Sequence, residues 1–332
     1  MAKKTDNNIL FSIVVPVYNR PDEVAELLES LTHQTDKGFE VLIIEDGSKI
    51  PCEEVCKQYE NKLDLHYYFK PNSGRSETRN YGMERAKGDW FIIYDSDVIV
   101  PPQYIATVRA ELAQNPAVDC YGGPDAADES FSDVQKAINY SMTSIMTTGG
   151  IRGATKNKEK FSPRSFNMGI SRKCFETVGG YKNMIGEDID LSIRIQQAGF
   201  KTTLIPDAYV YHKRRVSLKK FFWQVNTFGK GRVLLGEMHP GSLKLVHLMP
   251  AAFVIGNIGL VLLAFWSPWF LLPIGIYVLG LFVESLIKNK SLKIALLSIV
   301  AAYMQLFGYG TGFLGECITH KARKKKQEEL YK

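Results

Sequence analysis

The stretch WFIIYDSD, residues 90–97, places two aspartates directly after a run of five apolar residues. An unbroken apolar run of this length is typical of a β-strand that is buried on both faces. Asp95 and Asp97 then lie at the end of the predicted strand, one residue apart. Two carboxylates so placed can bind a hard divalent cation that keeps positions open for phosphate oxygens. A turn rich in aspartate explains the same tripeptide without any ligand.

The chain before this stretch alternates apolar strands with amphipathic helices. Residues 9–15 form an apolar run that Pro16 should end, and Asn19 should cap the helix that follows. Because such alternation builds parallel sheets, we expect an α/β fold with a mostly parallel, doubly wound sheet. Ligands of such sheets bind outside the carboxyl ends of the strands. Further strands are predicted at residues 40–44 and 66–69, and further helices at residues 53–59 and 76–86.

Other polar side chains follow predicted strands in the same way. Glu45 and Asp46 come directly after the second strand, and this carboxylate pair can accept hydrogen bonds from a base or a ribose. Arg75 and Arg79 lie at the start of a predicted helix, where a diphosphate is favourably held. Each of these fragments alone is also compatible with an ordinary polar surface.

Charge is distributed unevenly along the chain. The sequence up to Tyr211 contains 24 basic and 30 acidic residues, whereas the sequence from His212 onward contains 17 basic and 5 acidic residues. The acidic first part argues against nucleic acid as a partner, because phosphate binding needs a basic face. The basic second part favours contact with anionic membrane lipids.

Cysteines and the first residues indicate the cellular compartment. The five cysteines are odd in number and show no framework spacing, so we expect reduced thiols in a cytosolic domain. No apolar run precedes Ile9, so we expect no signal peptide. The first domain is therefore expected to face the cytoplasm.

The second part of the chain is apolar enough to enter a membrane. Residues 248–283 carry no charge, and at about 1.5 Å per residue they suffice for two crossings of a core about 30 Å thick. We expect spans at about residues 245–266 and 269–287, with Trp266 and Trp269 at the interface. A third apolar run, residues 294–315, fits a span, a re-entrant segment or an interfacial helix. A third span would place the basic residues 321–326 outside, against the positive-inside tendency.

Two other segments complete the expected domain organisation. Residues 125–164 look irregular, and they predict either a substrate-covering loop or a solvated loop without a role. Residues 216–243 mix aromatic and basic side chains, which favours an interfacial amphipathic helix over a solvated linker helix. The expected domains are a catalytic domain at 1–215, the amphipathic linker at 216–243 and a membrane region at 244–332 with a basic tail.

Taken in order, the motifs of the first part resemble those of glycosyltransferase family 2, whose fold is GT-A, in its membrane-anchored bacterial form. The resemblance extends from about Ile9 to Arg232. The matching stretches are SIVVPVYNR at 12–20, IIEDGS at 43–48, NSGRSETRNYGMERAKGDW at 72–90, YDSD at 94–97, FNMGISRKCFETVGGY at 166–181 and GEDIDLSIRIQQAGF at 186–200.

The resemblance implies a metal-dependent hexosyltransferase-type enzyme that inverts configuration at the transferred sugar carbon. Asp188 would be the catalytic base, and Mn²⁺ or Mg²⁺ would be held by Asp95, Asp97 and His212. The nucleotide sugar would contact Pro16, Tyr18, Glu45, Asp46, Arg75, Arg79, Asp95 and Glu187.

Some of these residues have a plainer interpretation as well. From the residues alone, Glu187 and Asp188 also fit the acidic first turn of a helix, and His212 fits a strand end beside a basic cluster. The five other histidines have no supporting pattern; they are His33, His66, His239, His247 and His320.

The acceptor is predicted from the membrane region and from one missing motif. Processive synthases of this family carry a Gln-x-x-Arg-Trp motif, and the corresponding stretch HKRRVSLKKFFWQVNTFGKGR, residues 212–232, lacks it. We therefore expect transfer of one or few sugars from a nucleotide-sugar donor to a lipid-linked or glycan acceptor, in bacterial surface polysaccharide or glycolipid synthesis at the cytoplasmic membrane. Two alternatives are a polyprenyl-phosphate glycosyltransferase and a catalytically silent membrane scaffold that retains nucleotide binding.

Overall fold

The computed structural model describes residues 9–126, 131–148, 161–212 and 217–330. Contacts divide the chain into two units. The first, here called the sheet unit, comprises residues 1–128 and 155–213; the second, here called the helical unit, comprises residues 129–154 and 214–332.

The sheet unit alternates strands and helices over most of its length. Its strands are β1 (Phe11–Val17), β2 (Phe39–Asp46), β3 (Leu65–Lys70), β4 (Trp90–Tyr94), β5 (Val98–Ile99), β6 (Cys120–Gly122), β7 (Asp125–Ala126), β8 (Asn167–Ser171), β9 (Thr202–Leu204) and β10 (Val210–His212). Its helices, numbered with those of the helical unit in chain order, are α1 (Pro21–Thr32), α2 (Glu53–Lys57), α3 (Arg75–Arg85), α4 (Tyr104–Gln114), α7 (Arg172–Val178) and α8 (Glu187–Gln197).

Seven strands form the main sheet in the order β3-β2-β1-β4-β8-β6-β9. The pairs β2/β3, β1/β2, β1/β4 and β6/β9 are parallel, whereas β8 is antiparallel to both of its neighbours. A second sheet has the order β5-β10-β7. The expected mostly parallel α/β sheet is therefore confirmed.

Helices cover both faces of the main sheet, because its central strands are apolar on both sides. One face buries Ile13 and Val15 against Leu27 and Leu28 of α1. The opposite face buries Val14, Leu42 and Ile44 with residues of α3, α7 and α8: Met83, Cys174, Leu191 and Ile195. At about 1.5 to 3 kcal/mol per large buried side chain, these two layers supply the main stabilisation of the unit.

Two local expectations at the end of β1 were wrong. Pro16 does not end the strand; it pairs with Ile44 in the parallel ladder. The pairing with β4 stops at Val14, so the missing N–H of Pro16 costs no ladder hydrogen bond on that side. Asn19 does not cap α1 either, since the N-cap is Arg20. The side-chain oxygen of Asn19 instead accepts hydrogen bonds from the backbone N–H groups of residues 49 and 50, at 2.8 and 3.1 Å.

Among the described residues of the helical unit, three helices are long and apolar enough to cross a membrane: Leu245–Ala264, Pro268–Asn289 and Leu292–His320. The helices of this unit are α5 (Asp133–Thr143), α6 (Ile145–Thr148), α9 (Leu218–Met238), α10 (Leu245–Ala264), α11 (Leu272–Asn289) and α12 (Leu292–Leu330), and a 3₁₀ turn at Pro268–Leu271 precedes α11. The third apolar run lies in one continuous helix, and its place as a span, a re-entrant segment or an interfacial helix stays a prediction.

Helix α9 packs closely against α12. A Cβ on Gly229 would lie 2.1 Å from the carbonyl oxygen of Tyr309, and one on Gly312 would lie 2.1 Å from that of Asn226. Glycine at these positions lets the two backbones approach each other. The face of α9 with Phe221 and Val225 is therefore buried within the unit. The placement of helix α9 at a membrane interface stays a prediction.

The segment expected to be irregular contains helices α5 and α6. Ser132 caps α5 through a capping box with Gln135, which the sequence Ser-Asp-Val-Gln encodes. The Tyr140 hydroxyl donates a hydrogen bond of 2.7 Å to Glu284 of α11, and Asp133 pairs with Lys293 of α12 at 2.8 Å. The prediction of an irregular segment was therefore wrong for the residues of α5 and α6. The glycine- and lysine-rich stretch 149–160 lies outside the described residues.

Candidate active site

The loops that follow β1, β2 and β4 all emerge at the carboxyl ends of parallel strands. Gly47, after β2, has a positive φ of 70°, and a Cβ there would lie 2.7 Å from the backbone nitrogen of Asn72. Only glycine accommodates both the conformation and this approach. The loop after β2 therefore packs directly on the turn that leads into α3.

Arg79 is the centre of the charged cluster at this edge of the sheet. Its Nη2 lies 2.8 Å from Asp95 Oδ1, and its Nη1 lies 3.1 Å from Glu187 Oε1. Arg75 completes the cluster with a bidentate contact to Glu187, at 2.7 and 2.8 Å. One hydrogen-bonded network thus joins four of the residues predicted to bind the nucleotide sugar. They come from α3, the end of β4 and the start of α8.

Burial makes this network electrostatically strong. The side chains of Arg79 and Glu187 are 3% and 4% exposed, respectively. Burial alone would lower the pKa of Arg79, but the negative charges of Asp95 and Glu187 outweigh it and raise the pKa. The Arg79 guanidinium also stacks over the Tyr181 ring, 5.2 Å from its centroid. By contrast, Arg75 keeps 61% of its side chain exposed, so its guanidinium is open to a ligand from solvent.

Asp188 lies in the first turn of α8, next to Glu187. Gly186 precedes the helix in the left-handed conformation, with φ of 82°. One carboxylate oxygen of Asp188 accepts a hydrogen bond of 2.8 Å from the N–H of Ile189, and the other lies 3.5 Å from the Arg164 guanidinium. The side chain remains 19% exposed, so a ligand can reach it.

Asp46 is held by a lysine that sequence reasoning did not identify. Lys70 donates to the Asp46 carboxylate and to the Ser73 hydroxyl, the latter at 2.7 Å, while the N–H groups of Ser73 and Gly74 donate to Asp46 at 2.9 Å. Burial works to raise the pKa of Asp46, but the hydrogen bonds from Lys70, the Ser73 N–H and the Thr78 hydroxyl outweigh it and lower the pKa. Asp46 therefore fixes the turn that presents Arg75.

Glu45 points into the protein and is fully buried. Its carboxylate accepts hydrogen bonds from the Ser48 hydroxyl and, at 2.7 Å, from the backbone N–H of Cys52. The Tyr67 hydroxyl donates to it at 3.5 Å. These contacts give Glu45 a role in holding the loop at 47–52, and its contact with a nucleotide stays a prediction.

The remaining predicted site residues lie near the same edge. Tyr18, half exposed, follows β1 directly, and Pro16 lies within that strand. Asp97 is partly buried and lies between β4 and β5. The backbone of His212 pairs with that of Val98, which brings β10 alongside the segment that follows Asp97. The His212 side chain lies outside the described residues.

Among the described side chains, a group close enough to share a metal ion lies elsewhere, at Glu40, Asp64 and His66. These residues are at the starts of β2 and β3, whereas Asp95 and Asp97 follow the end of a parallel strand. This group therefore does not correspond to the predicted ligands Asp95, Asp97 and His212.

Sequence reasoning missed three residues of the candidate site. Lys70 stands at the end of β3 and immediately before the motif NSGR, which was a usable signal for it. Tyr181 ends the matching stretch at 166–181, and Arg164 lies in a segment without periodicity. Tyr181 contacts Arg79, and Arg164 contacts Asp188. These contacts join residues far apart in the chain, and no local pattern encodes them.

The comparison with known families decides what this fold is. The family described as glycosyl transferase family 2 matches residues 12–179, half of the 332-residue chain. The chain belongs to glycosyl transferase family 2. The matched region contains Asp46, Arg75, Arg79, Asp95 and Asp97, and it ends before α8.

Curated relatives extend the family 2 match. An uncharacterized glycosyltransferase of Haemophilus influenzae is 30% identical over 222 residues, covering 63% of this chain and 71% of the relative. The hyaluronan synthase of Pasteurella multocida is 31% identical over 244 residues, covering 64% of this chain but only 25% of the synthase. The chain is therefore a glycosyltransferase of family 2.

Two solved structures share the GT-A fold of the family. The mannosyltransferase PcManGT of Pyrobaculum calidifontis, solved with GDP-Man and Mn²⁺, has a TM-score of 0.65 at 15% identity and covers 92% of this chain and 89% of its own. Residues 1–349 of TarS from Staphylococcus aureus have a TM-score of 0.52 at 16% identity and cover 92% of this chain and 90% of their own. At these identities the likeness shows the fold alone.

Proposed function

We propose that the protein is a metal-dependent, inverting hexosyltransferase that moves a sugar from a nucleoside-diphosphate sugar to a lipid-linked glycan. The observation that carries this proposal is the bridge from Asp95 through Arg79 to Glu187, at 2.8 and 3.1 Å. Asp97 lies two residues after Asp95 and Asp188 directly follows Glu187, so the bridge supports a common site for these aspartates.

The arginines suit the diphosphate of the donor. Glu187 holds Arg75 by two hydrogen bonds and leaves most of its side chain exposed. A guanidinium positioned beforehand loses little side-chain entropy when it binds a phosphate. Tyr18, exposed beside the end of β1, offers an aromatic face for the nucleobase.

The donor set at the end of β4 fits a hard divalent cation. Asp95 and Asp97 would hold Mn²⁺ or Mg²⁺, and His212 would join them from β10, whose backbone pairs with Val98. A bound cation would offset the negative charge that develops on the departing nucleoside diphosphate. The Pyrobaculum mannosyltransferase was solved with GDP-Man and Mn²⁺, which agrees with this assignment.

Asp188 would serve as the general base. It would take the proton of the acceptor hydroxyl while the hydroxyl oxygen attacks the anomeric carbon from the face opposite the diphosphate. The bond between that carbon and the diphosphate oxygen breaks, and the diphosphate leaves with the electron pair. Arg164 lies 3.5 Å from the Asp188 oxygen that does not accept the hydrogen bond from Ile189.

The apolar helices suggest where the acceptor is. Three helices are long and apolar enough to cross a membrane, and the part of the chain from His212 onward carries 17 basic and 5 acidic residues. A polypeptide of this kind can stay beside a lipid-linked acceptor at the cytoplasmic membrane while the sheet unit faces the cytoplasm.

A donor panel tests the proposal directly. Purified full-length protein is incubated with common nucleotide sugars, Mn²⁺ and lipid extract from bacterial membranes, and released nucleoside diphosphate is measured. We expect release with one donor, dependent on both lipid and metal. A product that is a monosaccharide phospholipid would identify polyprenyl phosphate as the acceptor. Absence of release with every donor would contradict the proposal and favour the silent scaffold.

A further inference from the structure

A second charged cluster lies at the amino ends of β2 and β3, away from the candidate active site. Glu40 is the second residue of β2, His66 is the second residue of β3, and Asp64 immediately precedes β3. His66 Nε2 lies 3.4 Å from Glu40 Oε2 and 3.2 Å from Asp64 Oδ1. Neither the proposed mechanism nor any sequence motif uses these residues.

The buried carboxylate of Glu40 is oriented toward this cluster. The Glu40 side chain is 1% exposed, and its Oε1 accepts hydrogen bonds from the Ser12 hydroxyl at 2.6 Å and the Lys87 N–H at 2.5 Å. Among the described residues, no group donates a hydrogen bond to Oε2, although that atom is also buried. A buried carboxylate oxygen without a donor is costly unless a cation compensates it.

The supporting contacts behind Glu40 are tightly built. The N–H of Gly88 donates a hydrogen bond of 2.8 Å to Ser12 Oγ, and a Cβ on Gly88 would lie 2.5 Å from that oxygen. Ser12 therefore stands between the backbone and Glu40, and it fixes which carboxylate oxygen turns toward His66. Outer contacts of this kind orient the ligands of protein metal sites.

From these contacts we infer that Glu40, Asp64 and His66 bind a divalent transition-metal ion, with Zn²⁺ as the best match. Ligand atoms about 2.0 to 2.2 Å from a tetrahedral Zn²⁺ lie roughly 3.3 to 3.6 Å from one another. Of the two distances from His66 Nε2, 3.4 Å falls within this spacing and 3.2 Å lies just below it, and all three ligand atoms lie within 4.8 Å of one another. Two carboxylates and one imidazole suit zinc and leave a fourth position for water.

Lys87 is the competing cation at this site. Its Nζ lies 4.0 Å from Glu40 Oε2 and 3.4 Å from His66 Nε2, but 67% of its side chain is exposed. The ammonium can therefore move into solvent when a metal ion binds. A bound ion would tie β2 to β3, so its role is to stabilise the sheet unit.

Equilibrium dialysis of the chelator-treated full chain against Zn²⁺ tests the inference. We expect His66→Gln and Asp64→Asn each to lose one bound ion, and Lys87→Ala to bind that ion more tightly than the wild type. His33→Gln, which changes an exposed histidine beside Glu29, should keep it. Asp97→Asn should also keep the ion bound at His66, because Asp97 belongs to the candidate active site. Failure of the zinc inference and failure of the proposed function are therefore distinguishable.

Thermal unfolding gives a second measurement. Saturating Zn²⁺ should raise the Tm of the wild type by about 4 °C or more above the shift that it produces in His66→Gln, which keeps the candidate active site. Melts without metal show whether each variant folds. Equal Zn²⁺ binding by the wild type, His66→Gln and Asp64→Asn would overturn the inference. Binding by Lys87→Ala that is no tighter than that of the wild type would also overturn it.

Discussion

Two acidic clusters lie at opposite ends of the parallel strands, and they differ in how their buried glutamate is neutralised. At the carboxyl ends, Glu187 is bound by Arg75 and by the buried Arg79. At the amino ends, Glu40 faces His66 and the exposed Lys87. Fixed guanidinium groups prepare the first cluster for an anionic ligand, whereas the second offers its oxygens to a cation. Acidic composition alone therefore does not identify an active site; the positive partners do.

The largest effect that separates the two clusters is expected from Asp188→Asn. Removing the proposed base should lower turnover about 10²- to 10⁴-fold, because the amide cannot accept the hydroxyl proton. Donor affinity, measured by calorimetry, should stay within a few-fold of the wild type, since the arginines are intact. Glu176→Gln is the control, because Glu176 is a largely exposed carboxylate on the same unit. Full turnover in Asp188→Asn would remove this residue from the mechanism.

Arg79→Met tests the cluster at the carboxyl ends through the free energy of unfolding. The substitution leaves Asp95 without its guanidinium and removes one of two arginines from the buried Glu187. Loss of one partner from a buried ion pair typically costs about 3 to 5 kcal/mol, and we expect a decrease of this size in urea unfolding of the sheet unit. Arg85→Met, on the same helix but more exposed, should cost far less. Equal effects of the two variants would show that Arg79 is not held as a buried ion.

The sequence predicted the sheet well because its central strands are apolar on both faces. The apolar runs in β1, β2 and β4 need no partner to be recognised, and the acids at the end of β2 and after β4 follow from the same positions. Pro16 and Asn19 were misjudged because their roles depend on the neighbouring strand and loop. Local rules could not show where β4 stops pairing with β1.

Residues that act through long-range contacts were the ones the sequence did not reveal. Lys70 reaches Asp46 only because β2 and β3 pair in register. His66 had no supporting pattern, yet the same pairing brings it to Glu40. Helix α5 was missed because the composition of the stretch around it hid a capping box and an apolar face that packs on α12. In each case the fold supplies the partner.

Ser12→Ala tests the amino-end cluster with a smaller effect. Ser12 and Glu40 are register partners on β1 and β2, and the buried hydroxyl both donates to Glu40 and accepts from Gly88. Its loss should cost about 1 to 3 kcal/mol in urea unfolding, because the Gly88 N–H is left without an acceptor. Zn²⁺ affinity should fall about 10- to 100-fold, as for other outer contacts of metal sites.

The control for Ser12→Ala is Thr32→Ala, which removes an exposed hydroxyl at the end of α1. It should change the free energy of unfolding by less than about 0.5 kcal/mol. If Ser12→Ala lowered stability but left Zn²⁺ binding intact, Glu40 would not need its hydroxyl partner to bind the ion.

Acid titration gives the smallest expected effect and compares one aspartate from each end of the strands. Hydrogen bonds from Arg109 lower the pKa of Asp36, which precedes β2. At Asp46, the last residue of β2, burial opposes the hydrogen bonds from Lys70 and the turn, but these hydrogen bonds prevail and also lower the pKa. Because both pKa values lie below the unfolded value of about 3.9, each group stabilises the fold above that pH and loses its contribution as the pH falls further.

Asp36→Asn and Asp46→Asn should therefore each reduce the dependence of unfolding free energy on pH below about pH 4, measured by urea titration at a series of pH values. Above that range each variant should be less stable than the wild type by a constant amount. Only Asp46→Asn should also weaken donor binding, because its carboxylate holds the turn that presents Arg75, whereas Asp36 holds Arg109 on α4. Equal loss of donor affinity in both variants would mean that general destabilisation, and not the turn at the carboxyl ends, controls binding.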